Sequence, residues 1–154
     1  LFEIIRLIRN LRSELGLKPS QKITVYLISE NKRLLDFINH LSQDIKTLTK
    51  SSELYILENR QNINKELSKS FSGVVGDLEV YLPFEGLINF KSLKDKLLKD
   101  QSKLSQEIKV LNHRLSNKNF IEKAPQEVVE ECRIKLKETH AKSLSITKKL
   151  EILN

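Results

Sequence analysis

Apolar residues fall at helical spacing from the start of the chain. Ile4, Ile5, Leu7, Ile8, Leu11 and Leu15 line one side of residues 1–15, and Arg6, Arg9 and Arg12 recur every third residue beside them. Gly16 and Pro19 stop this helix. Lys22 to Ile28 is rich in β-branched and aromatic residues between polar turn formers, which predicts a strand. From Ser29 or Glu30 the helical period resumes through Leu34, Leu35, Phe37, Ile38 and Leu41, and Ile45 and Leu48 carry it past His40. Leu54 to Leu57 predicts a second strand, and Phe71–Val75 with Leu78–Leu82 predicts a hairpin turning at Gly76-Asp77. Glu58 to Lys69 is too polar to assign. Pro83 and Gly86 close the region, so residues 1–86 read as an α+β module with a modest core.

From residue 87 the pattern changes. Asn89 stands as an N-cap, and Phe90, Leu97, Leu104 and Leu111 then recur every seven residues, with Ile108 and Leu115 interleaved. Lys94 and Gln101 interrupt this seam near its base. A second stretch repeats the rhythm through Val129, Cys132, Leu136, Thr139, Ser143, Ile146, Leu150 and Leu153. Between them Ser116 to Ala124 carries Asn117 and Asn119, and Pro125 fits the first turn of a returning helix. Residues 87–154 therefore predict a long antiparallel two-helix coiled-coil hairpin with its tip near 116–125. Its outgoing arm of ~27 residues would extend ~40 Å. The competing arrangement folds both helices back into one compact bundle.

Composition fits two such parts. Hydrophobic residues make up 39% and charged residues 31%, with four Gly and three Pro, which is too apolar for disorder and suits long helices with wetted faces. The net charge is +7, and it is unevenly placed. Leu1 to Phe90 holds 12 Lys/Arg against 11 Asp/Glu, whereas Lys91 to Asn154 holds 15 against 9. A basic surface concentrated in one part attracts polyanions, nucleic acid above all, although a merely soluble helix accounts for the charge equally well. No apolar run approaches the roughly 18 residues needed to cross a bilayer, and Cys132 has no second cysteine to pair with, so a cytoplasmic setting is expected. Leu1 opens on what reads as a helix in mid-course, so the chain is expected to be a segment of a longer protein.

The candidate chemistry is non-catalytic. His40, His113 and His140 are scattered, no Cys or carboxylate cluster stands near them at ligand spacing, and neither a metal nor a bound cofactor is expected. Cys132 falls on the apolar seam, where a thiol packs as a small hydrophobe. Gly73-Val74-Val75-Gly76 lacks the Lys-Ser/Thr ending of a phosphate loop. The cations remain. Lys103 and Lys109 on the first helix, Arg114, Lys118 and Lys123 around the tip, and Arg133 and Lys137 on the return are the candidate RNA contacts. Phe120 joins them as a side chain that either meets unpaired bases or plugs the hairpin end. Arg6, Arg9 and Arg12 either touch RNA or lace the surface of their own helix. With few aromatics interleaved, backbone and shape recognition of folded RNA is favoured over base stacking.

Two separated segments carry a family resemblance. Leu7-Ile8-Arg9-Asn10-Leu11-Arg12-Ser13-Glu14, with Pro19 and the strand Ile23 to Leu27, resembles the last helix and following strand of the anticodon-binding region of class I valyl-tRNA synthetases. Asn119-Phe120-Ile121-Glu122-Lys123-Ala124-Pro125-Gln126-Glu127-Val128-Val129 closely resembles the turn of that family's C-terminal coiled-coil arm, and Leu82 to Ile88 resembles the approach to it. The resemblance implies an arm that braces the elbow of tRNA(Val), while upstream domains of the parent enzyme perform ATP-dependent aminoacylation. ATP would belong to the parent alone, because signatures of the His-Ile-Gly-His and Lys-Met-Ser-Lys-Ser types are absent here. The alternative function is a coiled-coil protein–protein interaction module.

Overall fold

In a computed structural model describing residues 1–154, the first apolar stripe forms helix α1 (Phe2–Glu14), with Ile4, Ile5, Ile8 and Leu11 buried. The helix ends because Gly16 adopts φ +68°, a left-handed conformation that glycine enters without a Cβ penalty. Gly16 N–H then donates to the Ser13 carbonyl at 3.0 Å and Leu17 N–H to the Arg12 carbonyl at 3.1 Å, the paired bonds of a Schellman cap. Arg12 locks the turn that follows, its Nη2 donating to the carbonyls of Lys18 at 3.0 Å and Gln21 at 2.7 Å.

The sheet has four strands, β1 (Ile23–Ile28), β2 (Ser51–Leu57), β3 (Ser70–Val75) and β4 (Leu78–Pro83), in the spatial order β2-β1-β4-β3. Central β1 runs parallel to β2, joined by helices α2 (Lys32–His40) and α3 (Ser42–Thr49), and antiparallel to β4. A parallel neighbour requires such a crossover, whereas β3 and β4 meet directly over the two-residue turn at Gly76-Asp77, with Gly76 at φ +57°. Val25 and Leu27 on β1 and Leu78, Val80 and Leu82 on β4 point into the core, alternating with half-exposed Tyr26, Glu79 and Tyr81. Helix α1 packs on β3, β4 and α3, and α2 and α3 pack on β2. Phe71 and Phe84 meet edge to face in that core, with ring centroids 5.5 Å apart.

Several expectations shift here. The helix read from Ser29 through Leu48 is two helices, broken at Leu41 (φ −101°, ψ 10°), and its cap is Asn31, whose side chain accepts from Leu34 N–H at 3.2 Å. Ser29 is instead buried, its Oγ accepting from Asn31 N–H at 3.1 Å. Strand β2 starts at Ser51, three residues before the apolar run, because pairing with β1 and not side-chain apolarity sets its length. The unassigned stretch contains a single turn, α4 (Asn64–Leu67).

Residues Leu1–Asn89 form one compact unit and Phe90–Asn154 a second. The second consists of α5 (Phe90–Ser116), the short α6 (Lys118–Lys123) and α7 (Gln126–Leu153). Helices α5 and α7 pack against each other in opposite directions: Lys94 Nζ donates to Asn154 Oδ1 at 2.8 Å, Gln101 Nε2 to Thr147 Oγ1 at 2.9 Å, and Lys135 pairs with Glu107 at 3.4 Å. Leu93, Leu97 and Leu111 of α5 face Val129, Cys132, Thr139 and Leu150 of α7 as its buried residues. The base of the seam runs through Leu93 and not through Phe90, which is 38% exposed, because Leu93 lies one helical turn before Leu97 on the same face. Pro125 is the N-cap of α7 (φ −55°, ψ 141°), one position earlier than a first-turn proline. Lys94 and Gln101 do interrupt the apolar row, but each meets a polar partner.

Core packing in the first unit predicts that Ile8→Ala, at a side chain with no exposed surface, lowers unfolding free energy by about 2–5 kcal/mol. Urea denaturation checks it against Phe2→Ala, at a residue 86% exposed, which should change stability by about 0.5 kcal/mol or less. In the second unit Leu111→Ala should lower the midpoint of helix melting followed by circular dichroism, and Leu144→Ala, at a residue 58% exposed, should leave it in place. Equal effects of the two leucine substitutions would show that α5 and α7 are not held by this seam.

Candidate nucleic-acid interface

Helices with a narrow apolar seam leave most of their surface to solvent, and here that surface carries 15 Lys/Arg against 9 Asp/Glu between Lys91 and Asn154. Lys103, Lys109, Arg114, Lys118, Lys123, Arg133 and Lys137 are all exposed, and Phe120 is half-buried. At ~100° per residue, Lys96, Lys99, Lys103 and Arg114 share one side of α5, with Lys109 turned ~120° away. On α7, Arg133, Lys137 and Lys148 form one row, and Lys135, Lys142 and Lys149 another. The second row was not among the site residues chosen from sequence, although its seven-residue spacing marks it.

Ion pairing separates these cations. Arg133 stands 3.7 Å from Glu130, one turn earlier on α7, and Lys135 is committed to Glu107. Exposed pairs of this kind hold little energy, but they lower the local positive potential. Lys103, Lys109, Arg114, Lys118, Lys123 and Lys137 stand in no ion pair. A cleft of about 610 Å³ beside the tip is lined by Ile121, Ile134 and Arg133 together with Glu127, Glu130 and Glu131. Three carboxylates around one guanidinium make this cleft a poor phosphate site, so Arg133 is the weakest of the proposed contacts.

The tip is built by local hydrogen bonds. Asn117 caps α6, its Oδ1 accepting from Asn119 N–H at 3.0 Å, and Ala124 N–H closes the helix on the Phe120 carbonyl at 2.9 Å. This turn fixes Lys118 and Lys123 at the two ends of α6, which follows the last turn of α5 that carries Arg114. Phe120 is partly covered, whereas its neighbour Ile121 is 40% exposed.

The three arginines of α1 have separate fates. Arg6 is exposed, while Arg9 donates through Nε at 3.2 Å and Nη2 at 3.0 Å to the Leu48 carbonyl, and Arg12 is buried at the turn described above. The signal for Arg12 lay in the sequence: it stands four residues after Ile8 and seven after Ile5, on the buried face of α1 and not beside it. Cys132 is buried among the seam residues with a free thiol. No group of three or more His, Cys, Asp or Glu side chains is placed to hold a metal ion, and no helix is long and apolar enough to cross a membrane.

Comparison with known proteins gives the pattern a family. Residues 89–154 match the family described as the valyl tRNA synthetase tRNA binding arm. The chain is 57% identical over 153 residues to a valine–tRNA ligase of Prochlorococcus marinus subsp. pastoris, covering 99% of this chain and 17% of that protein. It is 34% identical over 159 residues to the valine–tRNA ligase of Thermotoga maritima, covering 98% of this chain and 17% of that protein. With that of Synechocystis sp. it shares 31% over 153 residues, covering 99% of this chain and 16% of the relative. The chain spans 16–17% of the length of these curated relatives. On these matches, and with a basic helix pair where the arm model aligns, the chain belongs to the valyl-tRNA synthetase family and its second unit to that family's tRNA binding arms.

Proposed function

We propose that residues 87–154 form an antiparallel coiled-coil hairpin that braces the elbow of tRNA(Val), adding affinity and orientation to a parent enzyme whose other domains perform ATP-dependent aminoacylation in the cytoplasm. The observation that carries this reading is the set of exposed cations without ion-pair partners, Lys103, Lys109, Arg114, Lys118, Lys123 and Lys137, on the helix pair that matches the arm family. Lysines and arginines on rigid helices position a phosphate backbone without reading bases, since binding is driven by release of condensed counterions. Seam and polar layers hold the helices in one alignment, so the cations keep a fixed spacing against the RNA. In this reading ATP and valine are bound by the upstream domains of the parent enzyme. Arg114, Lys118 and Lys123 are the leading contacts, with Phe120 closing the hairpin end behind them.

A second reading, a coiled-coil protein–protein interaction module, draws support from Leu98 at 46%, Val110 at 52%, Ile134 at 51% and Leu144 at 58% exposure, which leave apolar side chains on the outer faces of the same helices. The two readings separate cleanly in the full-length enzyme. Arg114→Glu, Lys118→Glu and Lys123→Glu together should weaken tRNA binding by at least ~10-fold while tRNA-independent valine activation is unchanged. Leu98→Ser with Leu144→Ser should leave tRNA affinity as it is. Unchanged affinity in the charge-reversal variant would remove the tip from the interface, and loss of affinity in the serine variant would favour the apolar faces.

A further inference from the structure

A cleft of about 300 Å³ lies within the first unit, where the C-terminal half of α1 meets the end of α3. Arg9, Arg12, Ser13, Leu17, Pro19 and Lys50 are among the residues around it, and no carboxylate lines it. Three cations without a counter-charge is an unusual local balance in a unit whose Lys/Arg and Asp/Glu counts are nearly equal.

Arg12 makes the imbalance costly. Its residue is 7% exposed, its Nη2 is spent on two backbone carbonyls, and its Nη1 is buried without a hydrogen-bond partner. Burial lowers the pKa of this guanidinium from the usual arginine value, and no carboxylate acts to restore it. An uncompensated buried charge is destabilising, and an anion bound at the surface above it offsets that cost. Arg9 is held in place through its two bonds to the Leu48 carbonyl, which engage only one edge of its guanidinium. Those bonds serve a second purpose. The C-terminal carbonyls of α3 repel an anion, and Arg9 engages one of them, that of Leu48. Lys50, at φ 55° the left-handed cap of α3, is exposed at the rim and stands in no ion pair.

We propose that this cleft binds one phosphate group, contacted from the rim by Arg9 and Lys50, with Arg12 supplying positive charge from beneath. The source we assign is a phosphodiester of an RNA strand, and that assignment, unlike the phosphate chemistry, rests on the tRNA-binding reading of the second unit. A guanidinium already ordered by a backbone carbonyl loses little side-chain freedom on taking a phosphate oxygen.

The test uses the whole 154-residue chain and nuclear magnetic resonance of arginine Nε–H and backbone amide signals. Inorganic phosphate titrated at constant ionic strength should shift Arg9, Arg12 and Lys50 saturably, and Arg9→Gln or Lys50→Gln should each weaken binding roughly tenfold. Both substitutions are at exposed side chains, and unchanged signals elsewhere show that the fold is retained. Shifts that grow without saturation, or that chloride alone reproduces, overturn the site. In a second arm, a tRNA transcript should bind the Arg9→Gln, Lys50→Gln chain more weakly than the unaltered chain. Saturable phosphate binding with unchanged tRNA affinity overturns the RNA source and retains the phosphate site. Saturable phosphate binding by a chain that binds no tRNA at all overturns the reading of the second unit instead.

Discussion

The packing of α5 on α7 is the constraint from which the surface chemistry of the second unit follows. Neither helix could persist alone in water with its leucines exposed, since most helical stability in proteins comes from burying one face. The seam is thin: Leu93, Leu97 and Leu111 on one side, Val129, Cys132, Thr139 and Leu150 on the other. A thin seam leaves alignment to polar groups. Gln101 meets Thr147 and Lys94 meets Asn154 only when the helices run in opposite directions in this one register, so these contacts specify what the leucines only stabilise. Every cation on the remaining surface then has a fixed place.

The same residue type serves opposite ends in the two units. In the first, two arginines of α1 are spent on backbone: buried Arg12 gathers the carbonyls of Lys18 and Gln21, and Arg9, itself exposed, donates to the Leu48 carbonyl in the last turn of α3. In the second, Lys103, Lys109, Arg114, Lys118, Lys123 and Lys137 face solvent without ion-pair partners, and their charge reaches anything that approaches. Net charge alone could not tell these roles apart. The cleft between α1 and α3 is where the inward-turned group is left with charge to spare.

Much of this was legible in the sequence where one physical signal dominated. The β3–β4 hairpin was, because β-branched runs flank a Gly-Asp pair that accepts the turn. The α7 seam was too, since all eight positions from Val129 to Leu153 that carry its 3,4 rhythm are buried or half-buried. The break at Leu41 was hidden, as neither Gly nor Pro marks it and the apolar period runs straight through. Asn31, the cap of α2, was obscured in the sequence by Ser29, an equally good capping residue two positions earlier. The seven-residue spacing from Phe90 to Leu97 drew attention from Leu93, which fills the seam one turn nearer. Exposed lysines on helices are legible in the sequence. Which of them already had a partner, as Lys135 has Glu107 and Arg133 has Glu130, depends on packing that no single helix encodes.

The central claim is that an exposed, unpaired cationic surface held by the α5–α7 seam meets an RNA backbone. Its most direct test is the salt dependence of tRNA binding by the 154-residue chain. The logarithm of the association constant should fall linearly with the logarithm of salt concentration, by roughly 0.7–0.9 for each phosphate contact, so that three tip contacts alone give a slope of about −2 or steeper. A flat dependence, with binding undiminished at high salt, would contradict it.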